Sequence, residues 1–420
     1  MTTQYASSIY PVPNRFIGIG KETAGPGSVA TATYTLPLTS FKPADKVTYL
    51  PDAAWRNSMG DLYNLVQGVE IADISLAGPF FADGFGYVLA DMMGDYYQSV
   101  NGGVTGTTTT LSGSVASGAT TIVLANSGSG VAVDDLISVG STGTTAEEVR
   151  QVTAIAGGTA TLNMQLYQGH ASGGTVTVYS SWDTITHSFA QLNTGSGMGG
   201  FNEAQPPTYS FTDYTGVPAS TGARQYAYSV FSEVALTSNA TALLEWDGKL
   251  TAVASEIAAT TPTTSISDVA PQAAWNTTVT IAGSGTYNTE EWKLTLQRKI
   301  TPKFENAGQQ APYAIPRGAL SAMLNFTFDP ASDEEEYLPL RNATIQTLVL
   351  NCTNGQTGTA ATSINISATK MKVDTSVIED TKEDFGWTNT AKLIENTTDT
   401  GPSGGYGPCV ISVTNRVIAY

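Results

Sequence analysis

Hydrophobic and polar positions alternate with a period of two over long stretches of this chain, and that period belongs to half-buried β-strands. Tyr226, Tyr228, Val230, Val234 and Leu236 fall on one face, with Ser229, Glu233 and Thr237 on the other. In "EWKLTLQRKI", Trp292, Leu294, Leu296 and Ile300 oppose Lys293, Thr295, Gln297 and Lys299. Leu320, Leu324, Phe326 and Phe328 repeat the pattern, and "ALLEWDGKLTAVA", "TIQTLVLNC", "SINISATKMKV" and "CVISVTNRVIAY" predict further strands. One segment has helical spacing instead. In "FFADGFGYVLADMMGDYYQ", Phe85, Val88, Leu89, Met92 and Met93 share a face, Asp83 is placed to cap the start, and Gly94 to end it. Such a stripe predicts a helix facing a core rather than a ligand.

Three segments break the alternation. Residues 102 to 135, "GGVTGTTTTLSGSVASGATTIVLANSGSGVAVDD", have linker composition, yet Thr120, Ile122 and Leu124 alternate with Thr121, Val123 and Ala125 after the turn signal Ser117-Gly118. With "EEVRQVTAI", "TATLNMQL" and "GGTVTVYSSW" they predict a small β module, an insertion over residues 106–181. Residues 41 to 68 are aromatic and weakly periodic, and read as a long functional loop suited to protein contact. Residues 1 to 32, rich in Gly and Pro, read as an arm that needs a partner surface. The domains expected are 1–105 (the first segment of the core, with arm, loop and helix), 106–181 (the insertion) and 182–420 (the remainder of the core, with a C-terminal arm).

Composition sharpens the class. With 42 glycines and only 13% charged residues, the chain suits short strands joined by many turns, and its 420 residues suffice for a large core. The net charge is -17, and residues 47 to 248 carry -14 of it, from 17 acidic and three basic side chains, Arg56, Arg150 and Arg224. A surface of that sign repels phosphates, which excludes tight duplex binding through a basic footprint but allows brief, repulsive contact with DNA. The N-terminus shows no export signal and no apolar run is long enough to span a membrane, so a soluble protein made in the cytoplasm is expected.

Catalytic chemistry finds little support. His170 and His187 are the only histidines and have no Cys, Asp or Glu at ligand spacing; Cys352 and Cys409 read as small buried hydrophobes. "GIGKET" is no phosphate loop, because the first glycine of that motif would fall at Arg15. The acidic runs "DEEE" and "EDTKED" lack the spaced ligands of a calcium loop and read as solvated turns. Trp182, Trp246, Trp275, Trp292 and Trp387 lie in strand contexts that predict core packing rather than a sugar platform. No enzyme activity, cofactor or metal is expected.

The order "WRNSMGDLYNLVQGVEIADISLAGPFFADGFGYVLADMMGD", an insertion, "THSF", "PPTYSFTDYTG", "ARQYAYSVFSEVALTSNATALLEWDGKLTAVAS", "PQAAWNTTVTIAG", "EWKLTLQRKITPKF" and "GALSAMLNFTFD" resembles the tail tube (major tail) proteins of long-tailed, non-contractile bacteriophages. The resemblance covers most of residues 50 to 330. It implies a mainly β chain: a β-sandwich or barrel core with one flanking helix, whose copies join into a hexameric ring. Rings would stack into a virion tail tube, assembled in the host cytoplasm around a tape measure protein and bounded by tail terminator and distal tail proteins. Double-stranded DNA would pass through without specific binding, and the insertion would decorate the outside. Ring contacts are then expected from Phe41, Tyr49, Trp55, Leu62 and Tyr63 on the long loop, and from Tyr5, Tyr10, Phe16 and Tyr420 on the arms. Glu233 and Glu245 are the candidates to line the lumen and keep DNA sliding by like-charge repulsion.

Two other readings share the composition. A capsid decoration or other virion β protein would differ in symmetry, and a carbohydrate-binding β protein would need exposed aromatics over paired acids.

Overall fold

The computed structural model describes residues 14–420 apart from 58, 129, 142–143, 216–222, 259–264, 266, 268, 283–285, 288, 307, 329–337 and 380–385. The described chain is mainly antiparallel β-structure in two sheets. It opens with β1 (Phe16–Lys21), β2 (Tyr34–Leu36), β3 (Ser40–Asp52) and β4 (Asn64–Pro79), followed by helix α1 (Phe85–Met92) and β5 (Gly94–Asn101). The smaller sheet then takes β6 (Val104–Thr110), β7 (Thr121–Val123), β8 (Leu136–Val139), β9 (Glu148–Ala156), β10 (Thr159–Leu162) and β11 (Thr175–Ser181). The chain returns to the large sheet with β12 (Thr184–Gln191), β13 (Tyr209–Tyr214), β14 (Ala223–Asn239), β15 (Glu245–Ala252), β16 (Glu256–Ile257), β17 (Thr277–Ile281) and β18 (Thr286–Tyr287). β19 (Thr289–Ile300), β20 (Arg317–Phe328), β21 (Gln346–Thr353), β22 (Ser363–Glu379), β23 (Gly386–Leu393) and β24 (Val410–Asn415) complete it.

Two long strands make the large sheet fold over on itself. β14 pairs with β13 through its first half and with β15 and β19 through its second, and a bulge between Phe231 and Glu233 marks the change. β22 pairs with β21 and β24 at its start and with β23 at its end. One row therefore runs β3-β4-β15-β14-β19-β20-β23-β22, and a second runs β5-β12-β24-β22-β21-β17. Both contribute to one apolar core that includes Phe80, Phe189, Phe231, Leu236, Leu324 and Ile411. Fully burying a side chain of this kind contributes about 1.5–3 kcal/mol.

Several sequence expectations change here. Helix α1 is buried almost all round: seven of its eight residues are buried, Tyr87 being the exception. Asp83 does not cap it; its carboxylate accepts a hydrogen bond from Ser267 Oγ at 2.9 Å, while Gly94 does follow the helix end with φ of 84°. A second short helix spans Leu338–Arg341. Ser229, expected to face water, is fully buried, because the first half of β14 is covered on both sides. Trp275 is 72% exposed in a short turn rather than packed, whereas Trp246 and Trp292 are buried, as are Cys352 and Cys409. "DEEE" and all but the first residue of "EDTKED" lie outside the described residues.

The smaller sheet has the order β6-β11-β8-β9-β10-β7. Just past β6, a Leu111–Leu124 bridge and the Ser112 N–H to Val123 C=O bond carry the chain onto the end of β7. The sheet thus curls towards closure, which shields edges that would otherwise pair with other chains. Inside lies a separate apolar cluster with Ile122, Leu124, Ile137, Val152 and Val176. Ile122 and Leu124 point inward and Thr121 and Val123 outward, so the Gly/Thr-rich stretch folds as its alternation predicts.

Candidate assembly surfaces

The segment expected to be a loop is a long β-hairpin. β3 and β4 pair from Ser40–Ala77 out to Asp52–Asn64. Near the core, Phe41, Ala72, Ile74 and Leu76 are buried, as period two requires. Beyond Val47 both faces leave the core: Tyr49 is 58% exposed, and Leu50, Leu65 and Val66 are each more than half exposed. This free part extends about 20 Å at 3.3 Å per residue. Its tip carries Trp55 and Met59, both fully exposed, and Leu62 at 51%.

Local contacts hold the hairpin in shape. Arg56 pairs with Asp52 and lies over the Tyr63 ring at 5.0 Å, while the Gln310 side chain donates to Gly68 C=O at 2.9 Å. β4 is the sole strand that pairs with β3 among the described residues, so β3 is an edge. Pro43 and Pro51 interrupt its donors and Lys42 and Lys46 add charge, devices that discourage strand addition. What the hairpin leaves open is therefore its apolar faces and tip rather than its backbone edge.

The residues expected at ring contacts separate into two groups. Tyr49, Trp55 and Leu62 are exposed on the hairpin and Tyr63 is half-buried beneath Arg56. Phe41 is not an interface residue: it is 5% exposed and packs on Phe211 and Tyr226 at 6.4 and 6.2 Å between ring centres. Phe16 is no arm residue either, since it opens β1, paired with β13 and followed by pairing to β2, and its ring meets Tyr214 at 4.8 Å. Tyr420 is 1% exposed, its hydroxyl donating to Ala82 C=O at 3.2 Å and its ring against Tyr87, His187 and Phe189. An aromatic terminus preceded by apolar residues is buried because water is the poorer solvent for it. Tyr5 and Tyr10 lie outside the described residues.

Glu233 and Glu245 share the outward face of β14 and β15, and differ in company. Glu233 accepts from Lys249 Nζ and Gln297 Nε2, both at 2.8 Å, and the Lys249 hydrogen bond holds its carboxyl below the usual range. Glu245 is exposed and makes no ion pair among the described residues. Around them the face alternates in sign through Lys46–Asp73, Lys293–Asp247 and Lys392–Asp374.

A polar seam joins the inserted sheet to the core, and sequence reading missed it. Glu148 and Arg150, both fully buried on β9, form an ion pair at 2.8 Å. Glu148 also accepts from the Tyr167 and Gln168 amides and from His170 Nε2. Its burial opposes ionisation, but the His170 bond and the Arg150 charge win, and its carboxyl lies below the usual range. Arg150 donates to Gln98 Oε1 on β5 at 2.9 Å, and Gln98 Nε2 donates to Ile418 C=O at 2.6 Å. Tyr167 bonds the Tyr420 carbonyl, and Lys21 Nζ reaches the Tyr167 hydroxyl at 3.1 Å. Next to them His187 is held neutral by burial, its imidazole pushed down to about 3. The available signal is "EEVR": a carboxylate and a guanidinium two apart on a strand face one side, and Arg150 is one of three basic residues between 47 and 248.

Neither protein-family models nor curated proteins match this chain. No helix among the described residues is long and apolar enough to cross a membrane.

Proposed function

We propose that the chain is a non-catalytic structural protein whose hexameric rings stack into a tail tube of the long-tailed, non-contractile phage type, the conduit for DNA delivery. The observation that supports this best is the β3–β4 hairpin. It leaves the core for about six residues per strand and exposes Tyr49, Leu50, Trp55, Met59, Leu62 and Leu65. A concentrated apolar surface on a projection marks an interaction site, and repeated copies of the chain would cover it. In this reading the hairpin reaches the adjacent ring, and the inserted sheet lies on the outside. The tape measure protein and DNA occupy the lumen, and terminator and distal tail proteins close the ends.

The test is negative-stain electron microscopy of the purified chain at rising concentration. Six-fold rings or hollow tubes are expected. A dispersed monomer at every concentration overturns the proposal.

A further inference from the structure

Two buried arginines carry more donors and more charge than the fold uses. Arg298 on β19 and Arg317 on β20 are 5% and 6% exposed. Arg317 Nη2 donates to Asp91 Oδ2 and to Pro207 C=O, both at 2.9 Å, and Nη1 to Pro206 C=O at 2.7 Å, but its Nε–H has no partner among the described residues. Arg298 reaches Gly318 C=O with Nη1 at a long 3.4 Å, and both Nε and Nη2 have no partner among the described residues. Among the described residues Asp91 is the one carboxylate acting on Arg298, so there the cluster holds two guanidinium charges against one carboxylate. Burial and the charge of Arg317 push Arg298 down to about 10, the mark of an undercompensated cation. Buried donors without partners and a buried unpaired charge are both costly, and native proteins seldom leave them so.

Beside Arg317 opens a cleft of about 260 Å³, with Lys303, Gln205, Thr208 and Tyr228 also on its walls. The free Nε–H and Nη2–H of Arg298 form the side edge of a guanidinium, whose two parallel donors match two oxygens of one anion. Water could accept these bonds but would leave the excess positive charge in place. We propose that Arg298 and Arg317 bind one small oxyanion of the phosphate or carboxylate class, admitted through the cleft beside Arg317. The site is independent of ring assembly and stands or falls separately from it.

The test uses the full chain in buffer free of oxyanions, with melting temperature followed during titration by sodium phosphate or sodium acetate against sodium chloride at matched ionic strength. A saturable rise with phosphate or acetate, absent with chloride, is expected. Arg298→Lys keeps the charge but loses the paired edge, and should weaken the response roughly ten- to hundredfold, as loss of one charged hydrogen bond does. An equal response to chloride, or one unchanged in Arg298→Lys, overturns the proposal. If that variant fails to fold, Arg317→Lys takes its place. A ³¹P line of phosphate that wild-type protein leaves sharp, together with no response to acetate, also overturns it.

Discussion

Removing either member of the Glu148–Arg150 pair should loosen the inserted sheet from the core. Glu148 makes four acceptor contacts, to Arg150, Tyr167, Gln168 and His170, and is itself fully buried. Glu148→Met leaves the Arg150 guanidinium buried without its counter-charge, and Arg150→Met does the reverse. Each should cost about 3–5 kcal/mol, the usual loss when one partner of a buried pair is removed. The double variant orphans neither charge, so it should fall short of the sum by about 2–3 kcal/mol. It should still be less stable than wild type, because the Tyr167 and Gln168 amides lose their acceptor. Urea midpoints give the totals, and hydrogen exchange of β8, β9 and β11 amides locates the loss. Single variants costing under about 1 kcal/mol, or a strictly additive double, would refute the view of the seam as a coupled buried pair.

Other variants separate assembly from folding. Trp55→Glu at the exposed hairpin tip should change monomer stability by less than about 0.5 kcal/mol yet abolish tubes in micrographs; tubes that persist count against the hairpin as a ring contact. Tyr420→Ala should cost about 3–5 kcal/mol in urea, like other buried aromatic truncations, whereas an arm residue would alter assembly alone. Burial raises the Asp91 carboxyl to about 6, against the pull of Arg317. The folded state then binds the proton more tightly than the unfolded chain, so this group's contribution declines as pH rises from about 4 to about 6. In Asp91→Asn that slope should vanish from urea midpoints across the same range, and an unchanged slope would assign it to another group.

What is legible in the sequence is what is local. The alternation at 292–300 and 320–328 and the helical stripe at 85–93 report which face meets apolar surroundings, and neighbours a few residues away suffice to set it. The hairpin escapes a pattern-based reading because its outer half serves no core: Tyr49 and Leu50, adjacent in sequence, are both exposed, so period two is lost although the backbone is paired. Tyr420 and Phe16 read as arm residues because their partners, Ala82 and Tyr214, are far away along the chain. Arg298 occupies an inward position of a strand whose pattern is carried by its leucines, and a lone cation there signals a buried charge whose partner only tertiary structure reveals.

If the chain forms a tail tube, its acidic surplus bears on transport only through carboxylates that lack nearby cations. On the face of β14 and β15, Glu233 lies opposite Lys249 in register and is bonded to it, and Asp247 lies 3.8 Å from Lys293. Such pairs cancel within a few ångströms, and at physiological salt fields fade over roughly 8 Å, so they contribute little repulsion to a passing phosphate. Glu245 is exposed and has no ion-pair partner among the described residues, so its field survives. If this face lines the lumen, Glu245→Lys should leave tubes intact, since an exposed charge contributes at most about 1 kcal/mol, and should slow DNA delivery, more so at low salt. Glu233→Lys places an ammonium against Lys249 and should add local repulsion within the sheet, so a delivery defect there must be corrected for tube yield. Delivery per assembled particle that stays constant in Glu245→Lys at both low and high salt would move this face to the outside of the tube and leave the lumen to another row of strands.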